Sequence, residues 1–342
     1  MGDAMVKDIG IGVVGLGMGR NVLHVNALAD SRLTVRGICD TDVDRLTQVA
    51  GEHDIDFATA DYDALLGRDG IDIIGVYTPD ALHCEQILAA LDAGKHVVAT
   101  KPMVNTVEEA EAVVAAVRRT GLKLLVGETV RFNVRNMAAK ALVDSGRIGD
   151  PLFVEAHYVH DMRPVIAKTP WRDDPLNKRF LVGSACHPID HVMWFGGEVA
   201  EVSAFGQDSG LLEGRVALNN FVLNLTFTSG AIGRVLGLYG VVHPPLPMEG
   251  FGICCTRGSI AGPRYTVDSP EGVTEHELEV APDPYAGHGG QTVRYMKHLE
   301  DCIVHDKEPM VDAVQGARTT AVSYAALESI ETGRSVVARM VF

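Results

Sequence analysis

The first part of the chain alternates between short apolar runs and segments in which apolar residues recur at helical spacing. A short apolar run between turn residues is typical of a strand buried on both faces of a parallel sheet. We predict strands at 9–14, 33–39, 73–77, 96–99 and 122–126, and helices at 21–29, 42–50, 81–94 and 107–119. Because strands and helices alternate, residues 1–128 are predicted to form an α/β domain around a parallel sheet.

After residue 128 this alternation stops. A connecting helix is predicted at 133–145, and strand-like runs follow from Pro151 without regular helices between them. We predict a hairpin from 221–228 and 231–239 around a Ser229–Gly230 turn, and further strands at 252–256 and 260–267. Residues 129–342 are therefore expected to form an α+β domain with a large, mainly antiparallel sheet. Strands this apolar would associate if exposed, so helices or another subunit must cover the outer face of that sheet.

A glycine-rich turn, GLGMGR at 15–20, joins the first strand to the first helix. Such a turn lets backbone N–H groups and a helix N-terminus approach a pyrophosphate closely. The third glycine of G-x-G-x-x-G would fall at Arg20, whereas Gly19 comes one place early, so a simple tight connection is the alternative. The turn residues expected to contact a dinucleotide are Gly15, Leu16, Gly17, Met18 and Gly19.

The second predicted strand ends at Asp40, at about the spacing from the glycines that a ribose-binding carboxylate requires. A carboxylate here accepts hydrogen bonds from the ribose diol of adenosine and repels a 2′-phosphate. Asp40 therefore predicts NAD as the cofactor, with NADP disfavoured. Its alternative role is to cap the helix that follows.

The segment 72–102, DIIGVYTPDALHCEQILAALDAGKHVVATKP, places Lys101 at the carboxyl edge of the sheet, where open α/β sheets bind ligands. Pro102 disfavours the α region at Lys101, so the chain turns there. A lysine at this edge can touch both cofactor and substrate, and a solvated lysine beside a turn is the alternative. The cofactor contacts expected from this segment are Thr78, Pro79, Asp80, His83, Thr100 and Lys101.

Composition narrows the range of partners. The chain has 342 residues, 46% of them hydrophobic, which suits two domains with separate cores. A net charge of −15 argues against nucleic acid or an anionic membrane and favours a small neutral substrate. The six cysteines have neither C-x-x-C nor metal-ligand spacing, so we expect reduced thiols and no metal. Without a membrane-spanning run or an export signal, a cytoplasmic location is expected.

Eight motifs follow one another along most of the chain. They are GLGMG at 15–19, CDTD at 39–42, TPDALH at 78–83, AGKHVVATKP at 93–102, RF at 131–132, SGRIGDP at 145–151, HPIDHVMW at 187–194 and ETGRSV at 331–336. In this order and spacing they resemble the Gfo/Idh/MocA family of NAD(P)-dependent oxidoreductases. The resemblance implies a Rossmann domain followed by an open-faced α+β domain, a nicotinamide cofactor, and sugars, polyols or their derivatives as substrates. It also implies homodimers or homotetramers built through the sheet of the second domain.

Two positions depart from the family pattern. The family often has Glu-Lys-Pro where this chain has Thr100 before Lys101, and many members have an aspartate where this chain has Gly183, four residues before His187. Proton transfer must therefore rest on the remaining groups. Oxidation of an alcohol needs a base near the hydroxyl while hydride leaves for the nicotinamide.

Lys101, His187 and Asp190 are the predicted catalytic residues, and the family matches the last two positions. His187 and Asp190 are three apart, so on a helix they share a face and the carboxylate could orient the imidazole. A capping or core histidine, and an aspartate bonded to backbone, are the alternatives.

A sugar pocket needs an apolar plate and fixed hydrogen-bond donors. The candidate substrate contacts are Lys101, Tyr158, Arg163, Trp171, Arg172 and His187, with His160 and His288 as further candidates. A position in a surface loop or in the core is the alternative for Tyr158, His160, Arg163, Trp171, Arg172 and His288. The expected function is an NAD-dependent dehydrogenase of a sugar or cyclic polyol. An NAD-dependent glycosidase that works through transient oxidation is one alternative, and a non-catalytic sensor of dinucleotide or sugar is another.

Overall fold

The structure is a computed structural model that describes residues 8–173, 180–213, 218–283, 285 and 288–342. The strands are β1 (Ile9–Val14), β2 (Leu33–Cys39), β3 (Ala58–Thr59), β4 (Ile73–Val76), β5 (His96–Thr100), β6 (Leu124–Gly127), β7 (Pro151–Val159), β8 (Val199–Gln207), β9 (Asn220–Phe227), β10 (Ile232–Leu238), β11 (Glu249–Cys255), β12 (Gly258–Ala261), β13 (Arg264–Ser269), β14 (Gly272–Glu277) and β15 (Val336–Val337). The α-helices are α1 (Val43–His53), α2 (Tyr62–Leu66), α3 (His83–Asp92), α4 (Val107–Thr120), α5 (Val134–Asp144), α6 (Arg163–Ile166), α7 (Phe180–Gly183), α8 (Cys186–Gly196), α9 (His288–Val304) and α10 (Ala313–Thr332). None of the described helices has both the length and the hydropathy that a membrane crossing requires.

Contacts divide the described residues into two compact units. Unit 1 lies within Met1–Thr129 and Asp283–Ala317, and unit 2 lies within Val130–Pro282 and Arg318–Phe342. The domain limits predicted from sequence, 1–128 and 129–342, stay a prediction. Helix α9 groups with unit 1, which the order of the elements along the chain did not indicate.

Unit 1 is built on a parallel sheet with the strand order β3-β2-β1-β4-β5-β6 within the described residues. Every residue of β1 and β4 is buried, as strands covered on both faces require. The predicted α/β domain with a parallel sheet is thus confirmed. Because the strand order reverses between β1 and β4, the carboxyl ends of these two strands form the position at which such sheets bind ligands.

Two helices of unit 1 frame that position. The segment predicted as a helix at 21–29 is a 3₁₀ helix, Gly19–Ala27, that begins inside the glycine turn. Helix α1 follows the end of β2, and its N-cap is Asp42, whose side chain accepts a hydrogen bond from the Arg45 N–H at 3.0 Å. Leu46 and Val49 form its buried face.

Unit 2 contains a second sheet with the order β14-β13-β12-β11-β7-β10-β9-β8-β15 in the described part of the chain. Only the β7–β10 pair among these is parallel, so the mainly antiparallel sheet is confirmed. The predicted hairpin is also confirmed, as β9 and β10. The predicted strand at 260–267 is wrong in one respect: a turn with Gly262 at a φ of 58° splits it into β12 and β13.

One face of this sheet forms the core of unit 2 and the other is open. Strand β10 alternates, with Val235 on the buried face and Ile232 on the open one. The open face also carries Phe205 and Val337, both more than two-thirds exposed. Helix α8 packs on β7 and β10, and it is buried almost all round, which places its polar side chains inside the unit.

Candidate active site

The glycine turn of unit 1 has the shape that a dinucleotide needs. Gly15 has a φ of 86°, and a Cβ there would lie 2.5 Å from the carbonyl oxygen of Tyr77, so only glycine fits between the ends of β1 and β4. A Cβ on Gly17 would meet nothing within 4 Å, so the backbone there is open to a ligand. Gly19 packs against Val13, where a Cβ would come within 2.9 Å of Cγ1. Gly19 therefore lets helix and strand approach, as the third glycine of the motif does.

Asp40 lies beside this turn and is 8% exposed. Its Oδ2 accepts the Leu16 N–H at 2.7 Å, and its Oδ1 accepts the Asp42 N–H at 2.9 Å. Nη1 of Arg45 is 3.3 Å from Oδ2. The carboxylate therefore ties the glycine turn to the end of β2, and the cap of α1 is Asp42, not Asp40. Because a carboxylate has about four acceptor positions, one position on Oδ1 is left for a ribose hydroxyl.

His83 connects the two loops that follow β4 and β5. It is fully buried, with Nε2 2.8 Å from the carbonyl oxygen of Thr78 and Nδ1 2.8 Å from that of Pro102. The Thr78 hydroxyl donates to Oε1 of Gln86 at 2.5 Å. With its two ring nitrogens on carbonyl oxygens of different loops, His83 joins the loop after β4 to the loop after β5. Lys101 is half-buried and is the first residue of the loop after β5.

Other cofactor candidates lie around the same sheet edge. Met18 is 60% exposed on the glycine turn, and Pro79 and Asp80 are half-buried in the loop after β4. Thr100 is the last residue of β5 and directly precedes Lys101. The residue that replaces the family glutamate thus lies at the strand end, beside the lysine.

Helix α8 of unit 2 carries three buried polar side chains, His187, Asp190 and His191, and His187 is the first of them. Its ring stacks on Tyr158 of β7, with ring centroids 5.5 Å apart and an interplanar angle of 26°. The Tyr158 ring also contacts His160 and Tyr239, at centroid distances of 6.2 and 6.0 Å. The structure therefore brings together three residues that the sequence predicted for a pocket, and adds Tyr239.

Asp190 is bound to Arg131, a residue that sequence reasoning did not single out. Nε of Arg131 donates to Oδ2 at 2.7 Å and Nη2 donates to Oδ1 at 2.6 Å. The Asp190 side chain is 0% exposed, and the Arg131 guanidinium also lies 5.5 Å from the centre of the Trp194 ring. The only sequence signal for Arg131 was its place in the RF motif. This two-pronged contact holds α8, and with it His187, in a fixed orientation.

His191 is one turn beyond His187 on the same helix. Burial first, and then the nearby Arg131 and His187, lower the pKa of His191 to about 3. Its ring lies among Trp194, Phe195 and Phe251, and its Nε2 has no partner among the described residues. A neutral imidazole is the form that this apolar surrounding accepts.

The remaining substrate candidates form local pairs. Arg163 binds Asp161 through Nε at 2.9 Å and Nη2 at 2.6 Å, which lowers the pKa of the Asp161 carboxyl. The Arg172 guanidinium lies 3.9 Å from the centre of the Trp171 ring. Lys101 belongs to unit 1, whereas these residues and His187 belong to unit 2. His288 opens α9, and its side chain is outside the described residues.

Relatives were found for both parts of the chain. Residues 9–128 match the oxidoreductase family with an NAD-binding Rossmann fold, and residues 136–261 match the GFO/IDH/MocA C-terminal domain. The uncharacterized oxidoreductase YrbE of Bacillus subtilis is 30% identical over 245 residues, which cover 68% of this chain and 67% of YrbE. The scyllo-inositol 2-dehydrogenase (NAD(+)) of Bacillus subtilis is 25% identical, with 94% of each chain covered.

Solved structures agree on the fold. Levoglucosan dehydrogenase in complex with NADH and levoglucosan has a TM-score of 0.86 at 21% identity, with 97% of this chain and 100% of that chain covered. The matched parts include the glycine turn, Asp40 and Lys101, which lie within residues 9–128, and Tyr158 and His187, which lie within residues 136–261. This chain therefore belongs to the Gfo/Idh/MocA family of oxidoreductases, and NAD is its cofactor.

Proposed function

We propose that this enzyme transfers a hydride between NAD and a hydroxyl-bearing carbon of a sugar, an inositol or a related polyol. The observation that carries the proposal is the position of Lys101. It follows β5 directly, at the carboxyl edge of a sheet whose glycine turn and Asp40 fit a dinucleotide. A proton-transfer group at that edge is what oxidation of an alcohol requires.

The residues of unit 1 have separate tasks in this proposal. The backbone of the turn from Gly15 to Gly19 faces the pyrophosphate, and Asp40 accepts a hydrogen bond from the ribose diol. Bound NAD supplies the hydride acceptor. Lys101 removes or returns the proton of the reacting hydroxyl, and His83 positions the loops on either side of it.

In unit 2, His187 is proposed to bind a substrate hydroxyl, and it is the alternative to Lys101 as the group that exchanges the proton. The stacked Tyr158 ring fixes the plane of the imidazole and offers an apolar surface for a sugar ring. Asp190 acts through Arg131 and α8, because both of its oxygens are bound by the guanidinium. We therefore propose Asp190 as a positioning residue rather than as the base itself.

The substrate class is supported by the relatives and by charge. Relatives that cover most of the chain include enzymes named for scyllo-inositol and for 1,5-anhydro-D-fructose. Relatives named as glycosyl hydrolases cover only 48% of the chain, so the glycosidase alternative is not favoured. A net charge of −15 disfavours strongly anionic substrates.

We also propose that the chain forms homodimers or homotetramers in the cytoplasm through the open face of the second sheet. Phe205, Ile232 and Val337 are large apolar side chains exposed there, and such a surface on a sheet favours association.

The proposal is tested with Lys101→Met and His187→Asn. Each variant should lower turnover about a hundredfold or more, the usual scale for a lost proton-transfer group. Binding of NAD, measured by calorimetry, should change little, because neither residue lies in the glycine turn or at the ribose. The readout is NADH formation with a panel of monosaccharides, inositols and anhydrosugars.

Lys140→Met and His305→Asn are the matched controls, since both side chains lie outside the proposed site and pair with neighbouring aspartates. A variant of Lys101 or His187 with turnover close to that of the controls would remove that residue from the reaction. A panel in which sugars and polyols are inactive while an amino acid or a sugar phosphate is oxidised would overturn the substrate class.

A further inference from the structure

Three charged side chains meet at the carboxyl end of β2. Nη2 of Arg45 is 2.9 Å from Oδ2 of Asp42, and Nη1 of Arg45 is 3.3 Å from Oδ2 of Asp40. In dinucleotide-binding sheets this strand end faces the adenosine ribose. A carboxylate there selects the free diol of NAD, whereas a nearby arginine accommodates the 2′-phosphate of NADP. This chain has both kinds of residue at one point.

Asp42 holds Arg45 at two points. Its Oδ1 accepts the backbone N–H of Arg45 at 3.0 Å, and its Oδ2 binds the guanidinium of the same residue. The side chain of Arg45 is 39% exposed. With two carboxylates and one guanidinium, the cluster carries one net negative charge, and the single cation is already paired.

We infer that Asp42 is a positioning residue for cofactor selectivity, because it binds Arg45 together with Asp40 and so helps to keep the guanidinium away from a 2′-phosphate. The inference rests on the ribose-binding role proposed for Asp40. Asp40 and Asp42 together then give the preference for NAD. Either carboxylate alone can retain the Arg45 guanidinium. An arginine released from both carboxylates would offer its planar donor groups to a phosphate.

This arrangement predicts that the two carboxylates are not independent. In Asp40→Ser, Arg45 keeps its ion pair with Asp42. The affinity for NADP therefore rises only because one repulsive charge is removed. In Asp42→Asn, Arg45 keeps its contact with Asp40. When both are replaced, the cluster changes from one net negative to one net positive charge and Arg45 is released.

Calorimetric titration with NAD and with NADP tests the inference without any substrate. The proteins are wild type, Asp40→Ser, Asp42→Asn, the double variant, and the double variant with Arg45→Ala. Asparagine at 42 can still cap α1, so the helix start is retained. Asp44→Asn is the matched control, since Asp44 lies in the same first turn and its replacement changes the net charge equally without touching Arg45.

The double variant should bind NADP about tenfold more tightly than the two single effects combined, the scale of one new charge-assisted hydrogen bond. Arg45→Ala should abolish this excess, and higher salt should reduce it. Asp44→Asn should leave the ratio of the two affinities close to that of wild type.

Two results would overturn the inference: single effects that simply combine in the double variant, or an excess that survives Arg45→Ala. If Asp40→Ser narrows the preference for NAD and the double variant has the same preference as Asp40→Ser, the inference fails and the ribose role of Asp40 stands. If wild type binds NADP as tightly as NAD, the ribose role of Asp40 fails as well.

Discussion

Replacement of Arg131 by methionine should destabilise unit 2 more than any ordinary surface change. The substitution removes two short hydrogen bonds to the Asp190 carboxylate, which is 0% exposed. Water cannot reach that carboxylate without opening the core around α8. Loss of one partner of a buried ion pair costs about 3–5 kcal/mol, because the other charge is left uncompensated.

The magnitude follows from the geometry of this pair. Both hydrogen bonds are short, at 2.7 and 2.6 Å, and the substitution also removes the cation–π contact of the guanidinium with the Trp194 ring. Such a cation–π contact contributes about 0.5–1 kcal/mol. We therefore expect the free energy of unfolding to fall by about 4 kcal/mol in Arg131→Met.

The assay is urea unfolding monitored by tryptophan fluorescence, for Arg131→Met, Asp190→Leu and the double variant. Since the double variant leaves no unpaired charge, its loss should be smaller than the sum of the single losses by about 2 kcal/mol or more. Lys140→Met, which removes one partner of an exposed pair, should cost less than about 1 kcal/mol. The reasoning is refuted if Arg131→Met behaves like this control, or if the single losses add in the double variant.

Two other residues give further predictions. The pKa of His191 in the folded protein, about 3, lies below its ordinary value of 6.5, so the unfolded chain takes up a proton in this range that the folded chain does not. Stability is therefore lost as the pH falls from about 6.5 towards 3, by up to about 1.4 kcal/mol per pH unit. The free energy of unfolding can be measured in urea from pH 7.5 to pH 5 and plotted against pH. In His191→Phe the slope of this plot should be smaller, by up to the equivalent of one proton, and an unchanged slope would contradict the assignment. His83→Leu removes the imidazole from two buried carbonyl oxygens, so it should lower the thermal midpoint and weaken NAD binding, whereas His83→Asn retains a donor and should lose less. If His83→Leu has the same NAD affinity and the same thermal midpoint as the control His305→Asn, His83 has no positioning role.

Much of unit 1 could be predicted because its signals are local. A buried strand is written as a continuous apolar run, and the change to helical spacing marks each helix. The glycine turn was recognised although Gly19 stands one place early, and the structure explains the shift, since Gly19 packs on Val13. The hairpin of β9 and β10 was predicted for the same reason, because its turn is encoded in adjacent residues.

The split of 260–267 into two strands was missed, although Gly262–Pro263 is a turn signal inside that run. That α9 groups with unit 1 is known only from the structure, because the order of elements along a chain does not state which core a helix joins. Periodicity describes an element, and packing decides its partners.

The sequence by itself determined the two kinds of sheet, and it predicted the cofactor turn, Asp40, Lys101 and His187 as site residues, because each of these is carried by neighbouring residues. Only the tertiary structure decided that Arg131 binds Asp190, 59 residues away, and that His187 stacks on Tyr158. The same holds for the strand order that places β7 between β10 and β11. Such contacts join distant parts of the chain, and whether they form depends on burial and charge compensation in the folded core, which no local pattern records.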